Sequence, residues 1–370
     1  MATCFLCDEP ISSSNDSREH IIPNSIGGIK KTRGFICVDC NSEAGETWDA
    51  ALSEQMNTLS LFFRVVRDRG ENKRELIETT AGEKLIYGKG TLEFYSPTID
   101  VKEIDSGLNI QVSAKNIEQA RQILTGLKRK HKHVKIDVES ILNQAVESVT
   151  YPEGAMHFEV QWGGKDVGRS WVKTALALLS DNGIDPKQCE QASAYLLGDG
   201  EPCFGYYYSD DVVRNRPLGV PLHCIVAVGN QKEKTIQGYL EYFGMLRIVL
   251  NLSENYHGED FKVGYAIDPT EGRVCDIGFD FQFSRDEIKA IYEYERYDGE
   301  IQKKVMGDVI GPAIKKQQEE HFEAVLEATA KSIEKQFANA GGEYQVEEII
   351  SEYMRKLEPH LAHWVLMGRK

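Results

Sequence analysis

The chain has 370 residues, of which 41% are apolar and 27% charged, and carries a formal net charge of -15. At roughly 100 to 200 residues per domain, this length predicts two or three domains, and the apolar share excludes a largely disordered or low-complexity chain. The acidic balance argues against a nucleic-acid surface spread over the whole molecule, but over half of it, -8, falls in residues 201–300, which leaves a neutral or basic face available elsewhere.

The opening MATCFLCDEP lacks the basic and apolar regions of a signal peptide, and no apolar run approaches the roughly 18 residues of a spanning helix. The expected compartment is the cytoplasm, with no membrane partner. Disulfides are not expected there. Cys4/Cys7 and Cys37/Cys40 form two Cys-x-x-Cys pairs with 29 residues between them, the spacing at which two knuckles close on one tetrahedral zinc ion. Four thiolates leave no open position for water, so the expected zinc is a structural staple. Cys189, Cys203, Cys224 and Cys275 lack such spacing and read as packing residues.

Between the pairs lies Arg18-Glu19-His20-Ile21-Ile22-Pro23-Asn24-Ser25-Ile26-Gly27-Gly28, and the second pair runs directly into Asn41. From Asn41 to Arg69, Trp48, Leu52, Met56, Leu59 and Phe63 recur every three or four residues and predict one helical run with an apolar stripe. Residues 70–76 are polar and read as a linker.

On these residues the N-terminus resembles the HNH, or ββα-metal, endonucleases. That family carries an acidic-His dyad, a following proline, often a Gly-Gly turn, and Cys-x-x-Cys-Asn or Cys-x-x-Cys-His at the start of a helix. The match covers residues 4–49, about an eighth of the chain. The resemblance implies that His20 is the base that deprotonates a water molecule, that Glu19 and Asn41 hold Mg²⁺ or Mn²⁺ as oxygen ligands, and that Cys4, Cys7, Cys37 and Cys40 hold zinc. The family's middle Asn would fall near Thr32, where this chain reads Lys30-Lys31-Thr32-Arg33; Thr32 or Asn24 are the stand-ins.

Further along, strand-like runs fall at residues 84–95, 108–113, 156–162, 222–228, 235–243, 247–252, 261–267 and 273–283, with the turn Asp268-Pro269-Thr270-Glu271-Gly272 joining the last two as a hairpin. Helical patterns fall at 116–130, 137–149 and 169–181. The strands cluster with hairpin-length gaps, which predicts an α+β domain with a mostly antiparallel sheet. The most basic segment is Lys128-Arg129-Lys130-His131-Lys132-His133-Val134-Lys135; Lys128, Arg129, Lys130 and Lys132 are the candidate phosphate contacts, and a solvated helix end is the plain alternative. His157, His223, His257, His321, His360 and His363 show no ligand spacing, and Tyr206-Tyr207-Tyr208 with Asp210-Asp211 read as a strand edge and turn.

The tail is helical. Phe322, Val325, Leu326, Ala330, Ile333 and Phe337 form one stripe, Gly341-Gly342 breaks it, and Val346, Ile349, Ile350, Tyr353, Met354 and Leu357 resume it. Such faces pack on the sheet domain or meet a second copy or partner. The expected division is a zinc-stapled ββα-metal module at 1–70, a central α+β sensor or DNA-binding domain at 76–300, and C-terminal helices at 301–370.

In plan the chain resembles restriction and phage-defence nucleases, whose larger domain senses a modified base, a nucleotide signal or a partner subunit. The expected function is a metal-dependent HNH DNA endonuclease or nickase, regulated by its larger part, in restriction or anti-phage defence. Its partners would be DNA, other defence subunits or a small signalling ligand. The alternative is a non-catalytic zinc-containing nucleic-acid-binding or adaptor subunit.

Overall fold

The computed structural model describes residues 2–88, 90–104, 107–146, 151–198, 200–338 and 346–367. In chain order the elements begin with β1 (Glu19–His20), β2 (Lys31–Thr32), α1 (Val38–Glu46) and α2 (Trp48–Phe62). Then come β3 (Glu75–Glu78), β4 (Lys84–Gly88), β5 (Thr91–Phe94), β6 (Thr98–Ile104), β7 (Gly107–Ser113), α3 (Ile117–Lys130) and α4 (Val138–Leu142). The central stretch holds α5 (Lys165–Asp181), α6 (Glu190–Leu197), β8 (Phe204–Tyr206), β9 (Val213–Arg214), β10 (His223–Asn230), β11 (Thr235–Tyr242), β12 (Leu246–Ser253), β13 (Phe261–Asp268), β14 (Arg273–Val274) and β15 (Gly278–Phe279). The chain ends with α7 (Arg285–Tyr292), α8 (Gly299–Ala338) and α9 (Val346–Met367).

The chain is α+β, and every strand pairing among the described residues is antiparallel. Its main sheet has the order β14-β13-β10-β11-β12-β8. Strand side chains alternate between faces. Ile225 and Ala227 therefore join one core with Leu240 and Ile248, while Cys224 and Val226 join a second core with Tyr239 and Val249. Burial on both faces explains why these strands read as nearly continuous apolar runs rather than as an alternation.

Helix α5 crosses the first of these cores. All of its residues from Val167 to Leu179 except Arg169 are buried, so the polar side chains of Ser170, Lys173 and Thr174 must find partners inside the protein. Ile21, Ile22, Ile26, Leu52, Met56 and Phe63 of the N-terminal module belong to the same core as Trp171, Leu176, Ile225 and Leu240. Phe63 stacks on Phe243 at 5.4 Å. Buried His223 joins module to sheet, its Nε2–H donating to Ile26 O at 2.8 Å while its Nδ1 accepts from the Phe243 N–H at 2.9 Å.

Contacts divide the chain into two compact units that do not follow the three consecutive segments expected from the sequence. One unit is Met1–Lys73 with Glu159–Ile314, the other Arg74–Phe158 with Lys315–Lys370. Long-range packing produces this: the module shares its core with α5 and the main sheet. The second unit holds the β3-β4-β5 sheet, the β6-β7 hairpin, α3, α4, the later part of α8, and α9. There Phe322 meets Trp364 at 4.5 Å, and Lys356 Nζ donates to Ser332 Oγ at 3.1 Å, so α8 and α9 partly cover each other's apolar stripes.

Several elements differ locally from expectation. The run from Asn41 to Arg69 is two helices, broken at Thr47 with φ -111° and ψ -75°. Residues 84–95 form a hairpin of two strands, and 156–162 carry no strand beyond the Thr79–Met156 bridge. The 137–149 helix ends at Leu142. The Gly341-Gly342 break lies outside the described residues.

Candidate functional site

The two cysteine pairs meet. The four Sγ atoms of Cys4, Cys7, Cys37 and Cys40 all lie within 4.8 Å of one another, and Cys7 and Cys37 are 3.8 Å apart. A zinc tetrahedron with Zn–S bonds of about 2.3 Å has edges of about 3.8 Å, so the donor set fits the metal in number, chemistry and spacing. Backbone donors support the thiolates: Cys37 N–H points to Cys4 Sγ at 3.3 Å and Cys40 N–H to Cys37 Sγ at 3.5 Å. Burial opposes ionisation of the Cys4 thiol, but hydrogen bonds from the Cys37, Cys7 and Leu6 backbone outweigh it and lower its pKa to about 7.

From this cluster the chain runs into a two-strand hairpin in which Glu19 faces Thr32 and His20 faces Lys31. The Gly27-Gly28 turn is required by space as well as conformation. Gly27 has φ +95°, and a Cβ on Gly28 would lie 1.7 Å from Ile22 O, so neither position accepts a side chain. Adjacent strand residues point to opposite faces, which sends Glu19 and His20 into different surroundings.

His20 is buried with 6% exposure. Its Nε2–H donates to Asp68 Oδ2 at 3.3 Å, and Lys31 Nζ holds the same oxygen at 2.6 Å. This leaves Nδ1 as the basic nitrogen. Burial lowers the His20 pKa below the usual imidazole value, more than its hydrogen bond to Asp68 raises it. A neutral ring near pH 7 is the form in which a general base works. Asn24, one of the stand-ins for the family's middle Asn, lies elsewhere: its Nδ2 donates to Arg69 O at 2.9 Å and its Oδ1 accepts from Arg69 N–H at 3.2 Å. It therefore fixes the segment that presents Asp68. Thr32, the other stand-in, is buried opposite Glu19.

Glu19 points the other way, to α5. Lys173 Nζ lies 2.5 Å from Glu19 Oε1 and 2.5 Å from Asp49 Oδ2, while Ser170 Oγ donates to Asp49 Oδ1 at 2.6 Å. Lys173 is only 1% exposed. Burial disfavours its ammonium, but the Asp49 and Glu19 carboxylates raise the pKa above that of an ordinary lysine, so the lysine is charged. Asn41 sits half-buried in the first turn of α1, its N–H on Cys37 O, and the bonded partner of Glu19 is Lys173 rather than Asn41.

The expected Mg²⁺ or Mn²⁺ donor set thus does not fit as it stands. The Lys173 ammonium occupies Glu19 Oε1, and among the described residues no three His, Asp or Glu ligand atoms converge around Glu19. Sequence reasoning missed Asp49, Asp68 and Lys173. Lys173 carries a readable signal, a lone charge inside the apolar run WVKTALALL, since a buried lysine requires an acidic partner.

The other candidates fall in the second unit. Lys128, Arg129 and Lys130 end α3, Lys132 follows it, and all four are exposed. Cations there suit the negative end of the helix. Two further groupings in this unit also escaped the sequence: His131 and His133 come within 4.8 Å of Glu103, and Tyr151 OH lies 2.9 Å from His321 Nε2 and 2.5 Å from His360 Nδ1.

Residues 4–57 match the protein family described as HNH endonuclease. No curated protein and no solved structure matches the chain. The segment matched is the one whose hairpin, helix and four-cysteine cluster have just been described, and the match supports a nuclease-type function for the N-terminal module. Among the described residues no helix is long and apolar enough to cross a membrane.

Proposed function

We propose that the protein is an HNH-type DNA endonuclease or nickase that hydrolyses phosphodiester bonds, controlled by the rest of the chain, in restriction or anti-phage defence. The observation that carries this reading is His20, a buried, neutral imidazole whose Nε2 is tied to Asp68 and whose Nδ1 is left basic. In this reaction Nδ1 takes a proton from water, the water oxygen bonds to phosphorus, and the bond to the 3'-oxygen breaks as that oxygen takes a proton from solvent. Zinc on the four cysteines ties the Cys4–Cys7 knuckle to the start of α1 and takes no part in the chemistry.

The Mg²⁺ or Mn²⁺ that the family resemblance implies at Glu19 and Asn41 needs Glu19 in a different partnership from the one described. Lys128, Arg129, Lys130 and Lys132 are the proposed phosphate contacts. A second copy on the outward face of α9, another defence subunit and a small signalling ligand are the further partners of this reading. One observation favours the rival, a non-catalytic nucleic-acid-binding or adaptor subunit: Glu19 is closed off by Lys173.

Plasmid cleavage by the full chain with Mg²⁺, Mn²⁺ or EDTA, compared with His20→Ala, separates the two. Cleavage lost in the variant while zinc content is retained supports the nuclease. Equal cleavage by the two excludes His20 as the base, and no cleavage by either protein or by Lys173→Met, in which Glu19 is freed, favours the adaptor.

A further inference from the structure

The Glu19 and Asp49 carboxylates come from β1 and α2, and a single cation from α5 joins them. Lys173 Nζ is 2.5 Å from an oxygen of each. The ammonium is not on a free arm. Ser170, one turn earlier on α5, holds the other oxygen of Asp49 at 2.6 Å, and Thr174 Oγ1 is 3.0 Å from Tyr242 OH on the sheet. Gln55 of α2 exchanges two hydrogen bonds with Gly163, at 2.9 and 3.0 Å, just before α5 begins. With the helix buried from Ser170 to Leu179, Lys173 cannot leave the pair by a simple swing into solvent.

A hard divalent cation binds carboxylate oxygen at about 2.0–2.1 Å for Mg²⁺ and keeps several waters around it. At Glu19 Oε1 that position and the Lys173 ammonium exclude each other, by contact and by like charge in a weakly screened interior. We infer that Lys173 is a positioning residue that bridges Glu19 and Asp49 and keeps divalent metal off Glu19, so that metal reaches this carboxylate only when Lys173 is withdrawn. The inference rests on the nuclease reading for its purpose, because it names the step at which such a nuclease is held idle. Its geometry stands without that reading. Activation then requires a shift of α5 relative to β1 and α2, and any event that moves α5 qualifies as the trigger.

The test uses the zinc-loaded full chain and Mn²⁺ as the probe, with bound and free Mn²⁺ measured by electron paramagnetic resonance. Lys173→Met keeps the bulk and removes the charge. The expected result is a Mn²⁺ site at least tenfold tighter than in the wild type, lost again in Lys173→Met/Glu19→Gln. A folded Lys173→Met protein with wild-type Mn²⁺ affinity overturns the inference. Should Lys173→Met fail to fold, the wild type and Glu19→Gln decide. Equal Mn²⁺ affinity in the two supports the closed pair, and a wild-type Mn²⁺ site that disappears in Glu19→Gln refutes it. None of these readings involves DNA cleavage, so no cleavage by the wild type, His20→Ala or Lys173→Met would remove the nuclease assignment and leave the metal result unaffected.

Discussion

The four-cysteine cluster and the Glu19-Asp49 pair lie in the same N-terminal stretch, and each gathers anionic ligands in a small volume. They neutralise that charge differently. The cysteines present four sulfur donors at tetrahedral spacing, with backbone N–H groups turned toward the thiolates, a site complete once a metal enters. The acidic pair is already filled by a side chain 154 residues away in sequence. One centre is closed by local chain geometry, and the other by the packing of a distant helix, so the first is built to keep its metal and the second to depend on where α5 lies.

Breaking the cysteine side should have the largest effect. Cys37→Ser is expected to lose zinc and unfold the module, since structural zinc contributes on the order of 10 kcal/mol to folding in small zinc domains; zinc content and the melting profile are the measurements. A protein that kept both would show that the cluster is not a metal site.

Next comes the chemistry on the other side of β1. His20→Ala should lower plasmid cleavage by about 10²- to 10⁴-fold, the usual contribution of a general base, while zinc content remains unchanged and the protein stays folded. Because burial lowers the His20 pKa, the acid limb of the wild-type cleavage profile should fall below the ordinary imidazole value of about 6.5. A limb above that value contradicts the assignment of the base.

Lys173→Ala sharpens the comparison through stability. Removing one partner of a buried charge cluster costs about 3–5 kcal/mol, so denaturant unfolding should show a loss of that order, whereas Lys128→Ala on the exposed end of α3 should show almost none. A loss within about 0.5 kcal/mol at Lys173 would mean that the pair is hydrated and not closed.

His223 tests the seam between module and sheet. Burial lowers its pKa to about 3 in the folded protein, against a small opposing contribution from Ile26 O. The unfolded chain then takes up this proton first. Stability is fully present above about pH 6.5 and declines as pH falls toward 3. His223→Gln should flatten stability over that window, and an unchanged slope would assign the acid loss to other groups. The smallest effect is expected at Asn24→Ala, which loosens the segment carrying Asp68 and should reduce cleavage only a few-fold, with the pH profile moving because His20 loses its fixed partner.

Much of the local architecture was legible because it depends on short-range rules. Cysteine spacing predicted the knuckles, Gly27-Gly28 predicted a turn that no other residue pair fits, and Asn116 and Asp137 mark the starts of α3 and α4 as side-chain caps. The break at Thr47 was not legible, because the apolar stripe continues through it and only packing reveals the change of axis. The Gly163-Gly164 entry into α5 was missed in the same way, and the helix begins one turn before its apolar pattern does.

Sequence by itself determined the four clustered cysteines, the Glu19-His20 order and the antiparallel character of the sheets, since each follows from spacing, alternation or turn chemistry. Only the tertiary structure decided what Glu19 and His20 touch. Asp68, Asp49 and Lys173 approach them from 48, 30 and 154 positions along the chain, distances over which no periodicity carries information. The division into interleaved units has the same origin: burial of a shared core selects which segments lie together, and that selection is a property of the folded whole.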